Sequence, residues 1–179
     1  LRLLEIIGFK IIIFPLFYDF KKILDLKPVG IFLSNGPGDP LATYKKIKVS
    51  LMHLFKTNIP IFGICLGHQI LSLAHGAKTI KMNHGHRGAN HPIKNLKNQN
   101  VEITVQNHGF VVSKSNLPKN IVVSHISLFD KTIAGIKIKN KPFFSVQYHP
   151  ESSPGPQDSR YLFEDFKRNI ITYAQKNKY

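Results

Sequence analysis

Pro60 opens the apolar run Ile61-Phe62-Gly63-Ile64, Cys65 follows at once, and a helix-compatible stretch runs from Leu66 to about Ala74, where Gly76 closes it. No other segment restricts the fold as strongly. A buried strand that turns straight into a helix must bend sharply at one residue. The small residues flanking that point, Gly63 and Gly67, let neighbouring backbone approach closely. This is the nucleophile-elbow arrangement, with cysteine in place of serine. It puts the sulfur at a helix N-terminus, whose dipole suits a negative charge, and aims the Leu66 N–H at the place where an oxyanion would form. A cysteine behind an apolar strand is otherwise a small core residue. The glycine bracket favours the nucleophile.

The segments around the elbow repeat its logic. Leu1 to Phe9 reads as the end of a helix, with Leu3, Leu4, Ile6 and Ile7 clustered and Gly8 as the stop. Lys10 to Phe14 is a short β-branched run expected to be a buried strand, and Phe20 to Leu26 is weakly helical. Val29 to Leu33 is the next strand, ending in the loop Ser34-Asn35-Gly36-Pro37-Gly38-Asp39-Pro40. Thr43 is placed to cap a helix reaching Phe55. From Lys78 to Lys139, short strand-like runs alternate with Asn- and Gly-rich turns. Phe143 to Tyr148 is the final strand, and Tyr161 to about Ala174 the closing helix. Strands alternating with helices predict an α/β fold: an open, mainly parallel sheet with helices on both faces and its site in loops beyond the strands' carboxyl ends. The loops at Gly36, Cys65 and His149 all follow such strands.

A length of 179 residues with 42% hydrophobic content fits one globular domain, residues 1–179. No apolar run approaches the roughly 18–20 residues of a membrane span, and Glu5, Gly8 and Lys10 break up the apolar start as a signal peptide. One cysteine rules out an intrachain disulfide and fits a reducing, cytoplasmic setting. The net charge of +15 raises the question of an acidic partner. Yet the charge is nearly all Lys, spread along the chain, with little Arg and no aromatic–basic stacking motif. Neither nucleic acid nor membrane is expected as a partner.

A nucleophilic thiol needs a base, and the base needs an orienting group. Tyr148-His149-Pro150-Glu151 supplies both. Period-2 alternation would project His149 and Glu151 to the same side, with Pro150 fixing the chain between them. The Asn35–Pro40 loop can present backbone N–H groups to an anion. Gln106-Asn107-His108-Gly109-Phe110 reads as a polar, glycine-bearing turn. The histidines of His84-Gly85-His86-Arg87-Gly88-Ala89-Asn90-His91 invite a metal, but no cysteine or helical His pair accompanies them. A glycine-rich structural loop, with no metal, is the expectation.

Taken together, Gly63-Ile64-Cys65-Leu66-Gly67-His68-Gln69 and His149-Pro150-Glu151 resemble the class I, triad-type glutamine amidotransferases, whose sheet is flavodoxin-like. Ser34 to Pro40 is similar across that family. Gly88-Ala89-Asn90-His91-Pro92, Gln106 to Phe110, Ser127-Leu128-Phe129-Asp130 and His149 to Pro156 are similar to its carbamoyl-phosphate synthase small-subunit branch, in order and spacing over nearly the whole chain. The resemblance implies Cys65 as nucleophile, His149 as proton relay and Glu151 as its orienting carboxylate. It implies Gly38 and Leu66 as oxyanion donors, and Gly36, Gly38, Leu66, Gln69, Asn107, Gly109 and Phe110 as the residues that hold glutamine. Ammonia would pass to a large synthase subunit, where ATP and magnesium are expected; no cofactor is expected in this chain. The family's domain begins one strand earlier than Leu1 and follows a separate N-terminal domain, so the chain is expected to lack both. Three other readings stand beside this one. The glutaminase of anthranilate synthase shares the triad but not Gln106 to Phe110 followed by Ser-Pro-Gly-Pro. A cysteine hydrolase built on the same elbow would release no ammonia from glutamine. A non-catalytic basic module would bind nucleic acid with steep salt dependence.

Overall fold

The computed structural model describes residues 1–152 and 154–177. Ser153, within the His149–Pro156 motif, lies outside the described residues, as do Lys178 and Tyr179. The described residues form five helices, α1 (Arg2–Ile6), α2 (Phe20–Asp25), α3 (Pro40–Phe55), α4 (Leu66–Ala74) and α5 (Tyr161–Asn177). They also form seven strands, β1 (Ile31–Leu33), β2 (Ile61–Ile64), β3 (Thr79–Asn95), β4 (Val101–Val112), β5 (Ile121–Ser127), β6 (Ile133–Ile138) and β7 (Phe143–Val146). The strands join in one sheet in the order β1-β2-β7-β6-β5-β3-β4. β1, β2 and β7 run parallel, with Ile61 opposite both Ile31 and Phe143. From β7 outward through β6, β5, β3 and β4 the pairing is antiparallel.

Alternation along the strands divides the core between two faces. Ile61, Ile136 and Phe143 join Leu51 and Leu54 of α3 and Ile70 and Leu71 of α4 on one side. Phe62, Ala134, Phe144 and Val146 join Leu4 of α1 and Leu162, Phe163 and Phe166 of α5 on the other. There Phe62 and Phe144 stack with ring centroids 4.5 Å apart. The fold is thus an open α/β sheet covered by helices on both faces, and its parallel part carries the elbow.

Several local expectations are corrected. Lys10 to Phe14 is not a strand: Ile12 and Ile13 are exposed, and β1 takes the sheet edge with β2 as its neighbour. β-branched residues favour an extended chain, but the backbone becomes a strand only against a partner. Thr43 does not cap α3. Asp39 does, its carboxylate accepting from the Leu41 and Ala42 N–H groups at 2.7 and 3.1 Å, and Pro40 supplies the first helical residue. The first half of the stretch from Lys78 to Lys139, expected to hold short runs, is instead two long strands, the 17-residue β3 paired to the 12-residue β4. The His84–His91 stretch therefore belongs to a strand rather than a loop, and Gln106 to Phe110 is no turn but part of β4. Register shifts between Lys81 and His86 and between Gly88 and His91 absorb the glycines as bulges.

Candidate active site

The elbow is as tight as its glycines require. Cys65 sits at φ 52°, ψ −103°, a left-handed backbone that a non-glycine residue adopts only under constraint. Three neighbours impose it. The Cys65 N–H donates to the Val146 carbonyl at 2.9 Å, tying the turn to the end of β7. A Cβ on Gly63 would lie 2.8 Å from the Gly67 carbonyl, and one on Gly67 would collide with the carbonyl of Leu33. The first turn of α4 therefore passes close against β2 and the end of β1, an approach that glycine at positions 63 and 67 allows. Leu66 opens α4, so its N–H has no acceptor within the helix.

His149 and Glu151 lie just beyond β7. The His149 N–H donates to the Val105 carbonyl at 2.9 Å, which fastens the segment to β4. Its Nδ1 is 2.7 Å from Glu151 Oε1. Strand alternation does not produce this contact, because β7 has ended at Val146; a turn in which Ser152 N–H donates to the His149 carbonyl at 3.3 Å does. The Cys65 sulfur foremost, then the hydrogen bond to Glu151, push the His149 pKa from 6.5 up to about 10, against the opposing effect of burial. The imidazole is thus held as a cation between a sulfur and a carboxylate. One turn into α4, His68 shows the opposite case. It is fully buried, its Nδ1 is 2.8 Å from Ser145 Oγ, and burial lowers its pKa to about 3, which keeps it neutral under the elbow.

A cleft of about 590 Å³ opens over the sulfur, room enough for an amino acid. Gly36 and Gly38 line one side, Cys65 and Gln69 the floor, and Asn107, Gly109 and Phe110 of β4 the other. Leu66, His149 and Glu151 are not among the lining residues; Leu66 directly follows Cys65 in the chain, and His149 interacts with the Cys65 sulfur from beyond the end of β7. Gln69 is buried and points inward, donating through Nε2 to the Phe110 carbonyl at 2.9 Å and to Gln147 Oε1 at 3.0 Å.

Sequence reasoning missed part of this wall. Lys81, His84 and Arg87 of β3 line the cleft, and His108 faces it from β4. The signal for His84 and Arg87 was the glycine-rich run, whose bulges let the strand curl over the pocket. For Gln147, whose amide approaches the sulfur, no local pattern existed. His86 meets Asp130 at 3.0 Å, close to His91 and His108. No group of three or more His, Cys, Asp or Glu among the described residues is arranged to hold a metal. No helix among the described residues is long and apolar enough to cross a membrane.

A family model described as glutamine amidotransferase class-I matches residues 1–169. The carbamoyl phosphate synthase small chain of Bartonella bacilliformis is 55% identical over 177 residues, 99% of this chain and 44% of that protein. The small chain of Buchnera aphidicola is 53% identical over 172 residues, 96% of this chain and 44% of the relative. The chain thus spans less than half the length of these curated relatives. Among solved structures, one described as a GMP synthase subunit from Thermoplasma acidophilum superimposes with a TM-score of 0.85 at 25% identity, covering 99% of this chain and 89% of the other.

Proposed function

The chain belongs to the class I glutamine amidotransferase family, and on that premise we propose that it is the glutamine-hydrolysing component of a carbamoyl phosphate synthase. It splits L-glutamine into glutamate and ammonia through a thioester on Cys65. One observation carries this reading above the others: a cysteine in strained left-handed backbone at a strand–helix elbow faces an imidazole raised to a pKa of about 10, on the floor of an amino-acid-sized cleft.

The proton bookkeeping follows from those neighbours. With His149 protonated, the proton that leaves the thiol already resides on the imidazole, and the thiolate attacks the side-chain amide carbon of glutamine. The carbonyl oxygen takes up the negative charge, and the N–H groups of Leu66 and Gly38 receive it. Collapse of the tetrahedral intermediate breaks the C–N bond, and His149 gives its proton to the departing nitrogen, which leaves as ammonia. Sulfur is now acylated and uncharged, so the largest influence holding the His149 pKa high is gone. The neutral imidazole can then accept a proton from water as water attacks the thioester. A second tetrahedral intermediate expels the thiolate, releases glutamate and restores the ion pair. Glu151 keeps Nδ1 bonded throughout, which directs Nε2 to the reaction. Gly36, Gln69, Asn107, Gly109 and Phe110 hold the substrate.

The similarity to small chains supports transfer of the ammonia to a large synthase subunit, which would also carry the ATP- and magnesium-dependent step. Ammonia release from glutamine by the full chain, mixed with a cognate large subunit, tests the proposal. We expect steady release that Cys65→Ala abolishes; release at the wild-type rate by Cys65→Ala would reject it.

A further inference from the structure

Gln147 follows β7 and is almost wholly buried, with 1% of its surface exposed. Its backbone N–H is used by the Ala134 carbonyl at 2.9 Å, so the side chain is free of the sheet ladder. The amide lies between two groups of the site: Oε1 is 3.0 Å from Gln69 Nε2, and Nε2 is 3.7 Å from Cys65 Sγ.

The orientation of that amide is fixed by a chain of bonds that begins at a backbone carbonyl. The Phe110 oxygen can only accept, so the Gln69 group 2.9 Å away must be its NH₂. That NH₂ also faces Gln147 at 3.0 Å, so the Gln147 atom there must be its oxygen. The Gln147 NH₂ is left to point at the sulfur. Turning Gln69 over would set its oxygen against the Phe110 and Gln147 oxygens, and turning Gln147 over would set NH₂ against NH₂, in a buried place where unpaired polar groups are costly.

We infer that Gln147 is a catalytic residue of the reaction proposed above: it donates a side-chain N–H to the Cys65 sulfur and stabilises its negative charge from the side opposite the substrate, oriented by Gln69 and the Phe110 carbonyl. The inference rests on the glutaminase reading only for its place in the reaction. Hydrogen bonds to ionised acceptors are about twice as strong as neutral ones, so this bond favours the thiolate over the thiol. It acts twice in the cycle, in the resting enzyme and again when the sulfur departs from the thioester as a thiolate. His149 already supplies a cation to the sulfur, but that cation must surrender its proton during the reaction. The Gln147 amide gives up none and keeps its bond to sulfur while His149 is neutral.

Carboxamidomethylation of Cys65 by iodoacetamide, followed in the full chain across its whole pH profile, tests this without glutamine. In Gln147→Leu the pH of half-maximal alkylation should rise by about one unit, a tenfold change in the ionisation equilibrium and the order expected for one lost bond to a charged group, while the high-pH plateau rates agree. Gln147→Glu, nearly isosteric, brings an acceptor and a negative charge to the same place, and should raise that midpoint at least as much. Loosened packing alone would instead expose the sulfur and speed alkylation at every pH. An unchanged midpoint in both folded variants, or faster rates throughout, would overturn the inference. Absence of ammonia release by the wild-type chain with its partner would reject the proposed function while leaving this readout intact.

Discussion

His149 has two unlike neighbours that raise its pKa, the Cys65 sulfur, which the proposed reaction acylates, and the Glu151 carboxylate, which it does not. Its folded-state value of about 10 lies above the ordinary 6.5, so the interaction contributes stability that is complete below about 6.5 and is lost as pH rises through about 10. Removing the sulfur removes the larger cause. In Cys65→Ala, the NMR titration midpoint of His149 should drop below its wild-type value while staying above that of Cys65→Ala/Glu151→Ala; no drop would mean that the sulfur does not face the imidazole. The same pair sets an order of effects in the assembled enzyme. His149→Ala should cost about 10²–10⁴-fold in kcat. Glu151→Ala should cost less, because the Val105 carbonyl still anchors the His149 backbone. A larger kcat loss for Glu151→Ala at matched stability would contradict these roles. At this scale the sequence was readable where chemistry uses short spacing: Cys65 between glycines, His149 two residues before Glu151. Gln147 was not, because its partner Cys65 is 82 residues away and a glutamine after a strand has no pattern of its own.

Among the elements, the strand-to-helix elbow is where local rigidity becomes reactivity. A methyl group on Gly67 would meet the Leu33 carbonyl, so Gly67→Ala must push α4 away from β1. Overpacking of this kind costs about 1–3 kcal/mol, and urea denaturation should show that loss together with weaker labelling of Cys65 by electrophiles. An unchanged urea midpoint would show that the two elements are not held together at that point. Asp39→Ala should cost less, about 1 kcal/mol, through loss of the α3 cap beside the Gly36–Gly38 loop. The elbow was legible because a buried four-residue strand followed at once by a helix leaves the chain a single way to turn. Lys10 to Phe14 misled because strand formation depends on a neighbour, and Ile12 and Ile13 carry no record of whether one is present. The β3–β4 pair was obscured for the converse reason. Glycines that read as turns in the one-dimensional pattern act as bulges once a long partner strand is supplied.

Across the whole molecule, the two cores position three loops from parallel strands at one end of the sheet, while the antiparallel extension folds β3 and β4 over them as a wall. The cleft is open to water on the side of Ser34 to Asp39, whose residues are all exposed. Water there weakens each dipole directed at an oxyanion, and ammonia that escapes is protonated and lost as a nucleophile. The chain by itself should therefore hydrolyse glutamine slowly, and a large synthase subunit should raise its turnover severalfold; equal, rapid turnover with and without the partner would contradict the coupling. The net charge of +15 suits an acidic docking face, so the stimulation should shrink as salt rises. The central claim is the covalent step at Cys65, and it is tested most directly by acid-quenching the assembled enzyme during turnover of glutamine and mapping its peptides by mass. A γ-glutamyl adduct confined to the peptide that contains Cys65, and absent after hydroxylamine, is the predicted result. Ammonia release with no adduct on that peptide, or with the adduct elsewhere, would contradict the account.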